Sequence, residues 1–407
     1  AWLRGMRDGE QFWTEGRAED HLVHFDFACT QAVMNYRFHL ATDDGARWLT
    51  AIGLIDYEPT DRNDFRLLTT GGAPEWVPDL VWYQIFPDRF ATTGRYRHDD
   101  HPVDTSWAQW AEWDDPIADG AAAMTQMYGG DLDGVTEHLQ HLVDLGIGGI
   151  YLTPVFPARS NHRYDAKTFD MVDPVLGGDA ALIRLAAEAN ELGLRVMTDL
   201  TLNHTGDVHE WFVAAQADAE SDEAGFYHFL DHPDHYESWL GVESLPKLDH
   251  RSAELRRRYY EGPSSILGRY LQPPFNMAGW RIDVANMTGR LGMIDHNQDV
   301  ARTARQTFDD VDNLLGDDAD DKWLVGEHFF DATLDAPGDG WHGVMNYSGI
   351  SRPIASWLGE FTVLETMTSG PGEPSRNGVQ MAASMDAIRA ATPWQVTMGS
   401  MSLVGSH

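Results

Sequence analysis

Residues 1 to about 75 alternate apolar and polar positions, as in Asn35-Tyr-Arg-Phe-His-Leu40 and Arg47-Trp-Leu-Thr-Ala-Ile52, with Asp43-Asp44-Gly45 between the two runs. A period of two sends successive side chains to opposite faces of a strand, and Asp-Asp-Gly supplies a turn. The stretch 1–75 therefore predicts a hairpin-rich, β-sandwich-like accessory domain. Gly71-Gly-Ala-Pro74 breaks the rhythm, and from Leu80-Val-Trp-Tyr-Gln-Ile-Phe86 onward short apolar runs alternate with amphipathic stretches. The predicted order is strand 80–86, helix 132–145, strand 147–152, helix 179–192, strand 195–200, helix 253–271, strands ending at Asp283 and Glu327, and shorter strands at 343–346 and 401–404. Buried strands alternating with helices imply a parallel α/β sheet. The expectation is a (β/α)8 TIM barrel over residues 76–407 with about seven of its strands present. Residues 204–252 are weakly periodic and rich in His, Asp, Trp and Gly, which predicts a subdomain inserted after the third strand.

Composition narrows the class without naming the chemistry. The chain has 407 residues, enough for a large domain plus a smaller one, and no apolar stretch reaches membrane-spanning length. Lysine occurs only at Lys167, Lys247 and Lys322, and the formal net charge is -35. Such an excess predicts a halophile-type acidic surface and excludes nucleic acid and anionic membranes as partners. Cys29 is the single cysteine, so no intrachain disulfide is available. The chain opens at Ala1 without an initiator Met, and both ends read as cut.

Three of the apolar runs break off in acid: Val196-Met-Thr-Asp199, leading into Asn203-His204; Gly279-Trp-Arg281-Ile-Asp283; and Leu324-Val-Gly-Glu327. The C-terminal ends of barrel strands point into the catalytic mouth, so these predict one carboxylate-rich site. Arg281 and Asp283 share a strand face, where the guanidinium is expected to hold Asp283 ionised, as a nucleophile requires. Glu327, between Gly326 and His328, stands in a partly desolvated setting that suits a general acid. Two carboxyls with divided labour are what glycoside hydrolysis needs. Taken singly, each acid reads more readily as a cap or surface charge, while His204 reads equally as a loop histidine, Tyr164-Asp165 as a packed aromatic near a turn, and Trp211, Phe226 and Trp239 as local core. Metal-dependent hydrolysis is a second class, but no His-x-His pair stands at these strand ends and Arg281 would compete with a cation. A catalytically silent carbohydrate binder is a third, against which stands the presence of both Asp283 and Glu327.

Asp199-Leu-Thr-Leu-Asn203-His204, Gly279-Trp-Arg-Ile-Asp283-Val-Ala-Asn286 and Val325-Gly-Glu327-His328 resemble, in order, the first three signature segments of the alpha-amylase superfamily of retaining glycoside hydrolases. Tyr83-Gln-Ile-Phe-Pro-Asp-Arg-Phe90, Tyr128-Gly-Gly-Asp131, Asn161-His-Arg-Tyr-Asp165 and Leu245-Pro-Lys-Leu-Asp249 are similar to its neopullulanase, cyclomaltodextrinase and maltodextrin glucosidase branch. Gly326-Glu-His-Phe329 and Met345-Asn-Tyr347 look closest to the maltodextrin glucosidases. The resemblance implies Asp283 as nucleophile, Glu327 as acid/base and Arg281 as the residue orienting Asp283. It implies Tyr164 as a stacking platform, His204 and His407 as ligands of sugar hydroxyls, and Asp199, Asn203 and Asp165 as structural supports.

Three departures qualify it. The fourth signature segment, Leu403-Val-Gly-Ser-His407, stops before the family's third catalytic Asp, so a polypeptide ending there is expected to be inactive or impaired. Met287 replaces the Glu usual in cyclodextrin-cleaving members. Ala91-Thr-Thr-Gly-Arg95 lacks the Asn/Asp ligands of calcium-binding relatives, leaving Gly129 and Asp131 as the only matches, so no cofactor is expected to be required. The expected activity is retaining hydrolysis of α-1,4 bonds in maltodextrins through a glucosyl-enzyme on Asp283. The alternatives are neopullulanase or cyclomaltodextrinase action on pullulan or cyclodextrins, and a silent α-glucan-binding homologue. The accessory domain implies a homodimer, and one cysteine with small soluble substrates implies a cytoplasmic location.

Overall fold

The computed structural model describes residues 1–69, 71–97, 102–316, 319–359 and 375–405. They form two compact units, one of residues 1–73 with 328–405 and one of residues 74–327.

In the first unit, strands Trp2–Arg7, Glu10–Glu15, Val33–Thr42, Gly45–Thr50 and Gly53–Ile55 form an antiparallel sheet, and Phe65–Leu68 pairs with Val33–Thr42. The turn expected at Asp43-Asp44 closes on the pair Thr42 and Gly45. The register sets Arg4 opposite Arg37, two buried like charges. Asp64 accepts from Arg4 Nη1 at 3.0 Å and from Arg37 Nη1 at 3.2 Å, so the cations share a counterion that removes the penalty of leaving them uncompensated. Leu68 packs with Ala336, Val344 and Val396, and Arg66 donates to the Ala391 carbonyl, which draws the chain after 328 onto the N-terminal sheet. Residues 401–404, expected as a strand, contribute a single parallel bridge, Met401 to Met345 of strand Gly343–Asn346. Beyond it the chain leaves the ladder, and the Leu403 carbonyl accepts from the Ser351 hydroxyl instead.

In the second unit, strands Trp82–Ile85, Gly149–Leu152, Arg195–Leu200, Gly279–Ile282 and Trp323–His328 pair in that order, all parallel, as a half-barrel. The runs Gly149–Leu152 and Gly279–Ile282 are buried on both faces, as parallel strands under helices require, while the edge strand Trp82–Ile85 keeps Tyr83 exposed. Helix Gly178–Glu191 turns Ala181, Leu182, Leu185, Ala186 and Ala189 inward, close to the predicted span. Two predicted helices are each broken in two. The span 132–145 forms Leu132–Glu137 and Leu139–Asp144, because the His138 ring, with Nδ1 at 2.8 Å from the Gly134 carbonyl, takes an acceptor from the backbone ladder. The span 253–271 forms Ala253–Tyr259 and Ile266–Leu271, because Gly262 adopts a positive φ, Pro263 has no N–H, and Ser265 caps a new helix. Residues 204–252 hold helix Glu210–Ala217 and the strand pair Phe229–Asp231 with His235–Tyr236. Trp211 and Phe226 are buried and packed edge to face, so they are local core. Trp239 instead lies 6.1 Å from the His204 ring.

Candidate active site

Strand register brings the acids together. Asp199 pairs with Arg281, Arg281 with Val325, and Ile282 with Gly326, so Asp283 and Glu327 both emerge one residue past the last paired rung. Arg281 is fully buried at the centre. Its Nη1 donates to Asp199 at 2.8 and 2.9 Å and to Asp283 Oδ1 at 2.9 Å, while Nη2 lies 2.6 Å from Glu327 Oε1. Tyr151 donates to Asp199 Oδ2 at 2.5 Å and Tyr164 to the same oxygen at 2.9 Å. Asp199 is thereby saturated with donors and fully buried, whereas Asp283 keeps a little exposure and Glu327 is half-buried. Immediately after Asp283 the chain turns sharply. Val284 has φ 37°, a costly conformation for a β-branched residue, and its N–H donates to Glu327 Oε2 at 2.7 Å.

The electrostatics correct one expectation. Arg281 was expected to hold Asp283 below the ordinary carboxylate range. Burial instead pushes Asp283 well above it; Arg281 pulls down, and Glu327 and Asp199 push up. Asp199 is raised as well, by burial, against Arg281 and its hydrogen bonds from Tyr151, Arg281 and Tyr164. Burial in one cluster therefore favours the protonated forms of Asp199 and Asp283. Such a cluster can hold one acid protonated while another becomes anionic, the division that acid-assisted displacement requires.

His204 is buried beside the pair, its Nε2 3.9 Å from Asp283 Oδ2. Burial and the nearby Lys247 cation push it down to about 3, so the ring is neutral at ordinary pH. Asn203 lies behind it, its Nδ2 3.2 Å from His204 Nδ1 and its Oδ1 accepting from Lys247. Tyr164 is half-buried, with its ring beside the Arg281 guanidinium at 5.8 Å. Asp165 accepts from the Arg159 N–H and the Ser160 hydroxyl. His407 lies outside the described residues. Gly129 and Asp131 do not present a cation site: Asp131 Oδ2 accepts from the Thr93 N–H and hydroxyl, and Oδ1 from the Gly134 N–H as a helix cap, so a metal there would meet donors. Among the described residues no group of three or more His, Cys, Asp or Glu is arranged to hold a metal. Sequence reasoning missed Tyr151 and Lys247 as parts of the site. A signal existed for Tyr151, since a tyrosine inside a fully buried strand needs a partner for its hydroxyl.

With this geometry in hand, the comparisons with known proteins are specific. The alpha amylase catalytic domain matches residues 84–334, more than half of the chain. A cyclomaltodextrinase of Geobacillus thermopakistaniensis is 32% identical over 342 residues, covering 82% of this chain and 50% of that protein. An intracellular maltogenic amylase of Bacillus subtilis is 31% identical over 295 residues, covering 72% and 45%. The chain thus spans about half the length of the curated relatives it matches. Among solved structures, the cyclic alpha-maltosyl-(1-->6)-maltose hydrolase of Arthrobacter globiformis in complex with maltose superposes with a TM-score of 0.62 at 28% identity, covering 82% of this chain and 67% of that one. The debranching enzyme of Nostoc punctiforme gives 0.64 at 26%, covering 83% and 66%. The barrel strands, the order of their acids and these matches agree: the chain belongs to the alpha-amylase family.

Proposed function

We propose that the protein carrying this chain is a retaining glycoside hydrolase acting on α-1,4 bonds of short maltodextrins, with Asp283 as nucleophile and Glu327 as acid/base. The observation that supports the reading most is the Arg281 bridge, one guanidinium reaching both Asp283 and Glu327. A bridge by a single planar group suits the roughly 5–5.5 Å carboxyl separation of retaining enzymes better than the wider spacing that accommodates a water in inverting ones. In this reading Glu327 protonates the leaving glycosidic oxygen as Asp283 attacks the anomeric carbon. A water deprotonated by Glu327 then releases the sugar with its α configuration. The excess negative charge of the cluster stabilises the oxocarbenium-like transition state. Tyr164 would stack on the sugar, and His204 would donate to a hydroxyl through Nε2.

Action on cyclodextrins or pullulan is the second reading, favoured by the names of the cyclomaltodextrinase relative and of a neopullulanase from Thermoactinomyces vulgaris, 28% identical. Met287 beside the site weighs toward linear maltodextrins. No bound metal is assigned a role, because a guanidinium occupies the centre of the carboxylate cluster. Among the described residues no helix is long and apolar enough to cross a membrane. A cytoplasmic location and self-association through the N-terminal sheet complete the proposal.

The test uses the full-length protein. Asp283→Asn is expected to lose turnover of maltodextrins by several orders of magnitude while keeping near-normal affinity, and a slow fluorinated glucosyl donor is expected to label the peptide containing Asp283 in the unmutated protein. Retention of a large share of activity by Asp283→Asn, or activity abolished by EDTA and restored by Zn2+ or Mn2+, would remove this mechanism. Maltodextrin affinity without any hydrolysis by the unmutated protein would leave only a binder.

A further inference from the structure

Lys247 is 4% exposed, yet both of its hydrogen bonds go to neutral oxygens rather than to a carboxylate. Its Nζ donates to Asn203 Oδ1 at 2.5 Å and to the Met287 carbonyl at 3.1 Å. A buried cation held this way is costly, so its position needs a reason. The chain of contacts beyond it supplies one. An ammonium has three donors and no acceptor, so the Asn203 amide must turn its oxygen toward Lys247 and its nitrogen away. That nitrogen lies 3.2 Å from His204 Nδ1, which must then accept. The His204 ring is neutral and carries one proton, which this arrangement leaves on Nε2. Nε2 is the atom that faces Asp283, 3.9 Å from its Oδ2, and the ring also bonds to the Tyr164 backbone.

We infer that Lys247 is a positioning residue that sets the tautomer of His204 through the Asn203 amide, keeping a hydrogen-bond donor aimed at the Asp283 side of the mouth. The inference deepens the proposed function and rests on it for the donor's target, a sugar hydroxyl. Met287 follows the Asp283–Val284 turn, so the same ammonium also ties that turn to the loop bearing His204. Only the charged form imposes this orientation, because a neutral amine can accept as well as donate. The titratable and charged groups around Lys247 are Glu237, whose carbonyl accepts from the Lys247 N–H, with His204, His228 and His250; Asp249 is paired to Arg251 and His228. Burial pushes Lys247 down to about 8, with Glu237 opposing. The device would therefore relax at mildly alkaline pH.

The experiment is nitrogen-15 NMR of histidine-labelled full-length protein, with His204 assigned by the signal lost in His204→Gln. At pH 7 the unmutated protein and Lys247→Arg are expected to show the Nε2–H tautomer at His204. Lys247→Met at pH 7, and the unmutated protein above pH about 8, are expected to populate Nδ1–H, with kcat/KM on maltodextrins falling roughly 10–100-fold in parallel. An unchanged tautomer in both of the last two conditions overturns the inference, and the titration of the unmutated protein decides should Lys247→Met fail to fold. A tautomer that switches in a protein with no maltodextrin hydrolysis supports the role of Lys247 and removes the functional reading instead.

Discussion

Arg281 is bonded to more carboxylate than one guanidinium can neutralise, since Asp199, Asp283 and Glu327 all reach it in a fully buried position. Removing it leaves two buried acids and the half-buried Glu327 without a counterion. Arg281→Met is therefore expected to cost about 3–5 kcal/mol of stability, read as a lowered urea midpoint at unchanged m. Adding Asp199→Asn should return part of that loss, because one of the stranded charges disappears; a double variant no more stable than Arg281→Met would show that the arginine acts by packing rather than charge. The neighbourhood of Arg281 and Asp283 was legible in the sequence, because period two puts both on one face. The direction in which Asp283 titrates was not. It depends on burial and on acids from two other strands, none of which local sequence reveals. Lys247 was hidden for the same reason, being separated from Asn203 by 44 positions.

Parallel strands carry the acids, and the close approach of two of them sets the geometry. Gly279 pairs with Trp323, and a Cβ at Gly279 would run into the Trp323 carbonyl. Two rungs on, the same pair of strands delivers Arg281 beside Val325, and then Glu327. Gly279→Ala should force these strands apart, costing about 1–3 kcal/mol, and should lower kcat more than it raises KM, since the spacing of Arg281 and Glu327 moves while the mouth stays open. Equal stability and activity would mean that the strand pair absorbs the methyl without shifting. Strand positions were readable because buried parallel strands are continuous apolar runs of limited length. Helix continuity was less so: the apolar spacing of 132–145 and 253–271 persists across the interruptions at His138 and Gly262-Pro263, where hydrogen bonding rather than burial decides. The longest helix among the described residues, Asn297–Leu315, escaped notice among acidic residues, although Val300, Ala304, Phe308 and Val311 recur at helical spacing.

At the scale of the whole molecule, buried histidines and buried acids set opposing pH dependences. His204, His209 and His250 are each pushed down to about 3, chiefly by burial, while Asp199 and Asp283 are raised and Asp312 is pushed up to about 6. Between pH 6.5 and 3 the unfolded chain binds protons at these histidines that the folded chain refuses, so their contribution makes stability fall as pH falls. The raised acids keep protons that the unfolded chain has released, with the opposite sign. The net slope is a difference, and the histidine part can be isolated at His250. Its Nε2 donates to the Leu202 carbonyl at 2.9 Å and its Nδ1 lies 3.2 Å from the Tyr260 hydroxyl, so His250→Gln keeps a donor and an acceptor without a titrating ring. Because the chain forms two units, a single melting temperature mixes their responses. Native-state hydrogen exchange in strand Arg195–Leu200 reads the opening of the unit that contains His250. From pH 7 to pH 4 the opening free energy of the unmutated protein should drop by about 3 kcal/mol more than that of His250→Gln. Equal drops would place the proton uptake elsewhere and leave His250 charged in the folded state, which its contact with a backbone carbonyl on one side and a tyrosine hydroxyl on the other would then have to stabilise.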